Sequence, residues 1–306
     1  AMVKQASARA NREIGVLDEA KADLIDRAAQ RVIDGEFHDE FTVGVIQGGA
    51  GTSTNMNANE VITNIALEMA GREKGDYAFL SPIDDTNRSQ STNDVYPTAI
   101  KIGLSLTLQS LLEELALLRK SFLAKAEEFH DVLKVGRTQL QDAVPMTLGQ
   151  EFHGFATTLG EDYSRLTENA YLMYEINMGA TAIGTGITAH AGYGGAVLRH
   201  LRAITGLDLE TATDLVESTS DTGAFMSFSS SLKRNAVKLS KICNDLRLLS
   251  SGPQAGLGEI NLPPRQAGSS IMPGKVNPVI PEVVNQVAFS VVGADMTVTM
   301  AVEGGQ

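Results

Sequence analysis

Residues 95–129 read VYPTAIKIGLSLTLQSLLEELALLRKSFLAKAEEF and predict one long helix. Its leucines do not keep to a single face. They stand at Leu104, Leu106, Leu108, Leu111, Leu112, Leu115, Leu117 and Leu118. A helix that is apolar nearly all round has to be buried on several sides. This stretch therefore predicts an extended helical bundle that associates with copies of itself.

Helical spacing of apolar residues dominates the rest of the chain, whereas strand signals are few and short. The predicted helices are 2–14, 18–34, 54–71, 95–129, 148–177 and 224–250. AGYGGA at 191–196 predicts a turn. We expect an all-α fold, with residues 1–92 as the remainder of an N-terminal helical domain and 93–306 as a central long-helix bundle.

Composition excludes several classes of function. The net charge of −12 argues against a nucleic-acid partner, because phosphate binding uses clustered Lys and Arg. Cys243 is the one cysteine, which indicates a reducing, cytoplasmic setting and a core position for that residue. Polar residues interrupt the apolar stretches, so we predict no membrane-spanning helix. The five histidines lack metal-ligand spacing, and we predict no metal and no cofactor.

Neutral hydrogen-bond donors gather in three short segments. They are GTSTNMN at 51–57, STND at 91–94 and GRTQLQD at 136–142. The pattern places each segment at or just before a helix start. Helix capping accounts for any one of them taken singly. Three together, beside free N–H groups at helix N-termini, favour a site for a small polyanionic acid.

A fourth polar segment, GSSIMPGKVNP at 268–278, is broken by Gly and Pro and predicts an irregular loop. Lys275 supplies a positive charge that can pair with a substrate carboxylate, and Asn277 can donate to the same group. Ser269 is a candidate base, provided that strong positive potential favours its alkoxide. The alternative explanation is a structural loop whose lysine is solvated.

Together these segments resemble the aspartase/fumarase superfamily of lyases. GSSIMPGKVNP is similar to its signature loop, and GTSTNMNANE, SQSTND and GRTQLQDAVPMTLGQEF are similar to its other segments, in the same order. The resemblance covers essentially the whole chain and is strongest to members that release ammonia from L-aspartate. Class II fumarases also resemble it, but they typically carry SSND and a histidine at the position of Gln139.

The resemblance implies anti β-elimination of ammonia from L-aspartate, giving fumarate through an enediolate-like intermediate. Ser269 would be the general base, on a loop that closes over the substrate. Lys275 and Asn277 would hold the α-carboxylate, while Asn93 and Gln139 would face the departing amine. The donors around the β-carboxylate would be Thr52, Ser91, Thr92 and Thr138.

The resemblance also implies a homotetramer whose central helices form one bundle, with each active site built from three subunits. Family members begin upstream of residue 1 and continue past residue 306 into a small C-terminal domain, so we expect a chain truncated at both ends. Glu282 matches the glutamate that positions the histidine of relatives. Two alternatives stay open, namely hydration of fumarate as in fumarases, and a catalytically inactive helical fragment.

Overall fold

The computed structural model describes residues 1–305, which are mostly helical. The α-helices are α1 (Met2–Glu13), α2 (Glu19–Ile33), α3 (Thr52–Met69), α4 (Thr92–Glu128), α5 (Leu148–Ala170), α6 (Tyr193–Thr205), α7 (Leu215–Ser220), α8 (Gly223–Leu249) and α9 (Val279–Gly304). The strands are β1 (Leu133–Thr138), β2 (Gln141–Thr147), β3 (Glu175–Ile176) and β4 (Glu210–Thr211). Helix accounts for 62% of the residues, which confirms the all-α class.

The predicted helices correspond to α1–α5 and α8, but the structure differs from the prediction in three places. The prediction for 148–177 is too long, because the chain leaves α5 at Ala170 and buries Ile176 and Met178 in another part of the core. AGYGGA is not a turn, since α6 begins within it at Tyr193. Helix α9 lies in a stretch where no helix is predicted.

The chain divides into two compact units. The first comprises Ala1–Thr107 and Tyr171–Ala224 with the end of α9, and the second comprises Leu108–Ala170 and Phe225–Ala301. Helix α4 therefore contributes its first half to one unit and its second half to the other. The domain boundary at residues 92 and 93 stays a prediction.

Helix α1 is the centre of the first unit and packs against both α2 and α6. Its small side chains Ala6 and Ala10 are fully buried, so neighbouring helices approach closely. Its polar side chains hold the loop before α4. Asn11 Nδ2 donates to the Arg88 carbonyl at 2.9 Å, and Ser89 Oγ donates to Asn11 Oδ1 at 2.8 Å. The apolar and polar faces of α1 thus fix where α4 begins.

The second unit joins α4 to α5 through the antiparallel hairpin β1–β2. Phe122 of α4 packs against Phe152 and Phe155 of α5, with ring centroids 5.9 and 5.6 Å away. At the start of α5, a Cβ on Gly149 would lie 2.4 Å from the Ala126 carbonyl oxygen. Only a glycine there lets the two helices meet this closely.

Two long helices expose apolar side chains in the single chain. Leu108, Leu112 and Leu115 of α4 are buried, whereas Leu117 is 57% exposed. One chain therefore does not bury α4 on every side, and its burial by other copies stays a prediction. The exposed apolar side chains of α9 are Ile280, Val283, Val287, Phe289, Val292, Met296 and Met300.

Helix α9 is also the one described helix that has the length and hydropathy to cross a membrane. Only 11% of its most apolar window is buried in the single chain. The predicted absence of a membrane-spanning helix stays a prediction. Helices from the cores of water-soluble proteins pass the same test. Asp295 of α9 accepts a hydrogen bond from Ser229 at 2.9 Å and pairs with Lys233, so α9 carries a paired charge that packs on α8.

We expect Gly149→Ala to lower the free energy of unfolding by about 1–3 kcal/mol, because the added methyl group collides with backbone of α4. Gly154 lies on the same helix, and a methyl group added there would meet no atom within 4 Å, so Gly154→Ala is the matched control. It should raise stability by about 0.5–1 kcal/mol through helix propensity. Urea unfolding of both variants measures the difference, and a neutral Gly149→Ala would contradict the close approach.

Candidate active site

Thr52 is the first residue of α3 and is exposed. The preceding Gly51 has a left-handed backbone, with φ at 84°. A Cβ on Gly51 would lie 2.2 Å from the ring of Tyr96, which stands in the first turn of α4. The start of α3 is therefore pressed against the start of α4, and Thr52 lies in the same part of the first unit as the STND segment.

The STND segment forms the capped start of α4. Ser91 Oγ accepts the Asn93 N–H at 3.2 Å, and Asp94 Oδ1 accepts the Ser91 N–H at 3.0 Å. Thr92 Oγ1 accepts a hydrogen bond from Asn55 Nδ2 of α3 at 3.0 Å. The capping explanation is thus correct for Ser91, while the half-buried Thr92 hydroxyl is tied to a second helix.

Asp94 is fully buried and links the start of α4 to a distant loop. Its Oδ2 accepts the N–H groups of Thr181 and Gly179 at 3.0 and 3.3 Å. Burial raises the pKa of the Asp94 carboxyl to about 6, although these hydrogen bonds and the ammonium of Lys4 oppose the change. The Asp94 carboxylate therefore binds the backbone N–H groups of Ser91, Gly179 and Thr181. Its burial disfavours the charged form, which is why the pKa rises.

Asn93 is held by the same distant loop. Its Nδ2 donates to the Ala182 carbonyl at 2.7 Å, and its own carbonyl accepts from Asn177 Nδ2 at 3.0 Å. An amide nitrogen carries two hydrogens, so the bond to Ala182 orients the side chain and leaves one donor for a ligand. Residues 177–182 are thus a supporting segment that no sequence motif indicated.

Thr138 and Gln139 do not lie at a helix start, and this part of the sequence prediction is wrong. Thr138 ends β1, while Gln139 and Leu140 form the two-residue turn to β2, with φ of 55° and 61°. Two left-handed residues are typical of a type I′ hairpin turn. Neither residue is Gly, Asn or Asp, so the sequence lacks the usual hairpin signal. Both Thr138 and Gln139 are exposed.

A cluster of charges anchors this hairpin to the segment before the loop at 268–278. Glu259 pairs with Arg137 at 2.5 Å and with Lys134 at 2.8 Å, and Lys134 also pairs with Glu151. Burial alone would raise the pKa of the Glu259 carboxyl, but the hydrogen bonds from Arg137 and Lys134 outweigh it and the pKa is lowered. Glu259 therefore remains ionised and fixes the base of the hairpin.

Ser269 is half-buried and its Oγ accepts two backbone N–H groups. They come from Met272 at 3.1 Å and from Ile271 at 3.2 Å. Hydrogen bonds to the oxygen stabilise an alkoxide relative to the hydroxyl. The local backbone therefore favours the ionised form that a base requires.

The ends of the loop at 268–278 are joined directly. Asn277 Nδ2 donates to the Gly268 carbonyl at 2.9 Å. A Cβ on Gly268 would lie 2.1 Å from the Lys275 carbonyl oxygen, so only glycine permits this closure. Lys275 itself is exposed. The loop thus holds Ser269, Lys275 and Asn277 in a closed segment of eleven residues counted from 268 to 278.

The candidate residues fall into two groups. Thr52, Ser91, Thr92 and Asn93 lie together in the first unit, and Thr138, Gln139, Ser269, Lys275 and Asn277 lie in the second. Within residues 1–305, no group of His, Cys, Asp or Glu side chains is arranged to hold a metal ion. Hydroxyl, amide and ammonium donors suit carboxylate ligands instead.

Lys4, Asn55, Asn87 and Asp94 support the site but were not among the predicted site residues, although Asn55 and Asp94 lie within the polar segments 51–57 and 91–94. For Lys4 the available signal was its place among the alanines of α1, where a charged side chain is expected only if it has partners. Glu282, which would position a histidine in relatives, lies 3.9 Å from Arg247 instead. This chain has Gln139 where those relatives have the histidine, so Glu282 has no imidazole to position.

The fold is a helical scaffold that carries neutral hydrogen-bond donors and a loop with Lys275. A family model described as lyase matches residues 1–293, and the chain belongs to this family. The resemblance to the aspartase/fumarase superfamily is thereby confirmed.

The curated relatives include aspartate ammonia-lyases from several bacteria. That of Pseudomonas aeruginosa is 64% identical over all of this chain and 65% of its own length, and that of Escherichia coli K12 is 55% identical over all of this chain and 64% of its own. The chain thus spans slightly less than two thirds of the relatives' length.

Solved structures share the fold. A fumarate lyase:delta crystallin from Brucella melitensis has a TM-score of 0.98 and 58% identity, and the match covers all of this chain and 66% of that one. A class II fumarase from Schistosoma mansoni has a TM-score of 0.94 and 33% identity, covering all of this chain and 67% of that one.

Asp94 gives a testable pH dependence. Its pKa is 3.8 when unperturbed and about 6 in the folded chain, so between these values the folded state binds more protons than the unfolded state. Stability due to Asp94 is therefore greatest below the lower value and decreases as the pH rises through the window. Relative to Asp94→Asn, the free energy of unfolding of the native protein should fall by about 2–3 kcal/mol between pH about 4 and about 7. Chemical denaturation across this range is the measurement, and a constant difference would contradict the raised pKa.

Proposed function

We propose that the protein is an aspartate ammonia-lyase, which converts L-aspartate to fumarate and ammonia by anti β-elimination. The observation that carries the proposal is the closed loop at 268–278, where Ser269 receives two N–H bonds beside Lys275 and Asn277. The identities support it, because they are 55–64% to aspartate ammonia-lyases and 33% to a class II fumarase.

The chemistry suits these side chains. The Ser269 alkoxide removes a proton from the β-carbon, and the electron pair of that C–H bond moves into the β-carboxylate. The extra charge develops only on the way to the enediolate, so preset donors stabilise the transition state more than the substrate. The donors assigned to this carboxylate are Thr52, Ser91, Thr92 and Thr138.

The second half of the reaction breaks the bond between the α-carbon and nitrogen. The electron pair returns from the carboxylate to form the double bond of fumarate, and ammonia leaves with the electrons of the C–N bond. Lys275 and Asn277 hold the α-carboxylate, while Asn93 and Gln139 accompany the amine. The substrate ammonium leaves as ammonia without gaining a proton, so a non-titrating Gln139 suffices, whereas loss of water from malate calls for an acid.

We propose that the active assembly is a homotetramer, with each site built from segments of three subunits. The exposed apolar side chains of α4 and α9 support this, because surfaces of this kind mark protein interfaces. The partners are then small acids and copies of the same chain, with neither nucleic acid nor membrane involved. The buried free thiol of Cys243 suits a cytoplasmic location.

The competing function is hydration of fumarate, which the likeness to a class II fumarase favours. An ultraviolet assay for fumarate, with L-aspartate in one cuvette and L-malate in another, separates the two. We expect absorbance to rise with L-aspartate alone. A rise with L-malate alone would assign the protein to the fumarase reaction, and turnover of neither by the folded protein would reject both.

Ser269→Ala removes the assigned base and should lower kcat by at least about 1000-fold, which lies within the range of roughly 100- to 10,000-fold typical for a general base. Stability should change little, since Ser269 is a loop residue with two weak local bonds. Ser270 is the matched control, because it is the adjacent, exposed serine of the same loop. Steady-state kinetics and thermal melting of both variants test the assignment, and near-normal turnover of Ser269→Ala would refute it.

A further inference from the structure

A buried lysine lies beneath the start of α4, outside the residues assigned to the substrate. Lys4 is 2% exposed, and its Nζ lies 2.9 Å from Asn87 Oδ1 and 2.8 Å from Gln90 Oε1. An ammonium group has hydrogens and no lone pair, so it can only donate. Lys4 therefore requires the oxygen, and not the nitrogen, of the Asn87 amide to face it.

The orientation of Asn87 is fixed from its other side as well. Its Nδ2 donates to the Gln90 carbonyl at 3.2 Å. Its Oδ1 accepts further hydrogen bonds from Asn59 Nδ2 at 3.1 Å and Asn55 Nδ2 at 3.2 Å. Because Asn87 offers Asn55 an acceptor, the amide nitrogen of Asn55 is the end that points inward.

The same Asn55 Nδ2 lies 3.0 Å from Thr92 Oγ1. A hydroxyl can either donate or accept along one direction. Because the amide nitrogen of Asn55 is a donor, the Thr92 oxygen must accept along the line that joins the two atoms. The hydrogen of the Thr92 hydroxyl must therefore point away from Asn55.

We propose that Lys4, Asn87 and Asn55 form a relay of hydrogen-bond direction that makes the Thr92 hydroxyl a preset donor to a substrate carboxylate. Asn55 is the positioning residue of this relay, acting through Thr92. The inference rests on the proposed function, in which Thr92 faces the β-carboxylate. It explains why neutral buried amides and a buried ammonium lie behind the STND segment, since a donor that need not reorient stabilises developing charge best.

The ammonium form of Lys4 reinforces the direction that the Gln90 carbonyl already gives to Asn87, because an ammonium group can only donate. Burial lowers the pKa of Lys4 to about 7, and the carboxylate of Asp94 opposes this change. Asp94 thus has two effects, since it ties the backbone of the STND segment and favours the ammonium form that only donates.

Two substitutions of Asn55 distinguish a positioning role from a structural one. Asn55→Asp keeps the shape but presents only acceptors when ionised, so the Thr92 hydroxyl turns toward it and is lost to the substrate. Asn55→Leu removes the donor without offering an acceptor. We expect kcat/KM for L-aspartate to fall about 100-fold in Asn55→Asp and about 10-fold in Asn55→Leu, on the scale of a charge-assisted hydrogen bond.

A merely structural role would persist without the Thr92 hydroxyl, because a carboxylate buried at position 55 is costly whatever side chain stands at position 92. The coupling to Thr92 is measured in a Thr92→Val background, where no hydroxyl remains to be oriented. Both Asn55 substitutions should there cost less than about twofold, and full additivity would overturn the proposal. Lys21→Met is the control, because Lys21 pairs with Asp85 at 2.8 Å and does not touch the relay. It should leave kcat/KM unchanged.

Neutron diffraction of the deuterated native protein tests the relay independently of turnover, since it locates the hydrogens directly. We expect the Thr92 hydroxyl deuterium to point away from Asn55, and a deuterium on the line from Thr92 Oγ1 to Asn55 would overturn the proposal. Release of no fumarate from L-aspartate by the native protein would instead refute the proposed function, while the neutron result would still decide the direction of the relay.

Discussion

The first unit depends on one buried carboxylate. Asp94 accepts hydrogen bonds from the backbone at the start of α4 and from the loop at 177–182, two segments far apart in sequence. A buried carboxylate is stable only when such donors surround it, so the chain on both sides has little freedom to move. The STND donors are consequently held by backbone geometry before any ligand arrives.

In the second unit, an ion cluster and a glycine hold the candidate side chains in place. Glu259 holds the base of the β1–β2 hairpin through Arg137 and Lys134, and Thr138 and Gln139 lie at the tip of that hairpin. Gly268 permits the backbone contact that closes the loop carrying Ser269. Short-range anchors of this kind reduce the loss of conformational entropy when a ligand binds.

The chemistry proposed for these residues uses few titrating groups. Preset hydroxyl and amide donors stabilise a carboxylate that gains charge, and they do so without changing their own protonation. A hydroxyl donor stabilises the carboxylate only when its hydrogen points at it. In our proposal, the buried residues behind Thr92 set that direction. The apolar faces of α4 and α9 are a separate feature. Helices that present such surfaces are stable when other helices cover them.

The sequence by itself determined the helical class, the extents of most helices and the polar segments that carry the chemistry. These features are local, since helical periodicity and loops rich in Gly, Pro and Ser are readable from neighbouring residues. It did not determine the hairpin at Gln139 and Leu140, whose left-handed turn lacks the residues that usually signal one. Nor did it reveal the partners of Asp94 or the contacts of Lys4 with Asn87 and Gln90. Only the tertiary structure decided the contacts of Lys4 and the bonds of Asp94 to Gly179 and Thr181, because these bonds join residues more than eighty positions apart. No local pattern records which distant groups will meet.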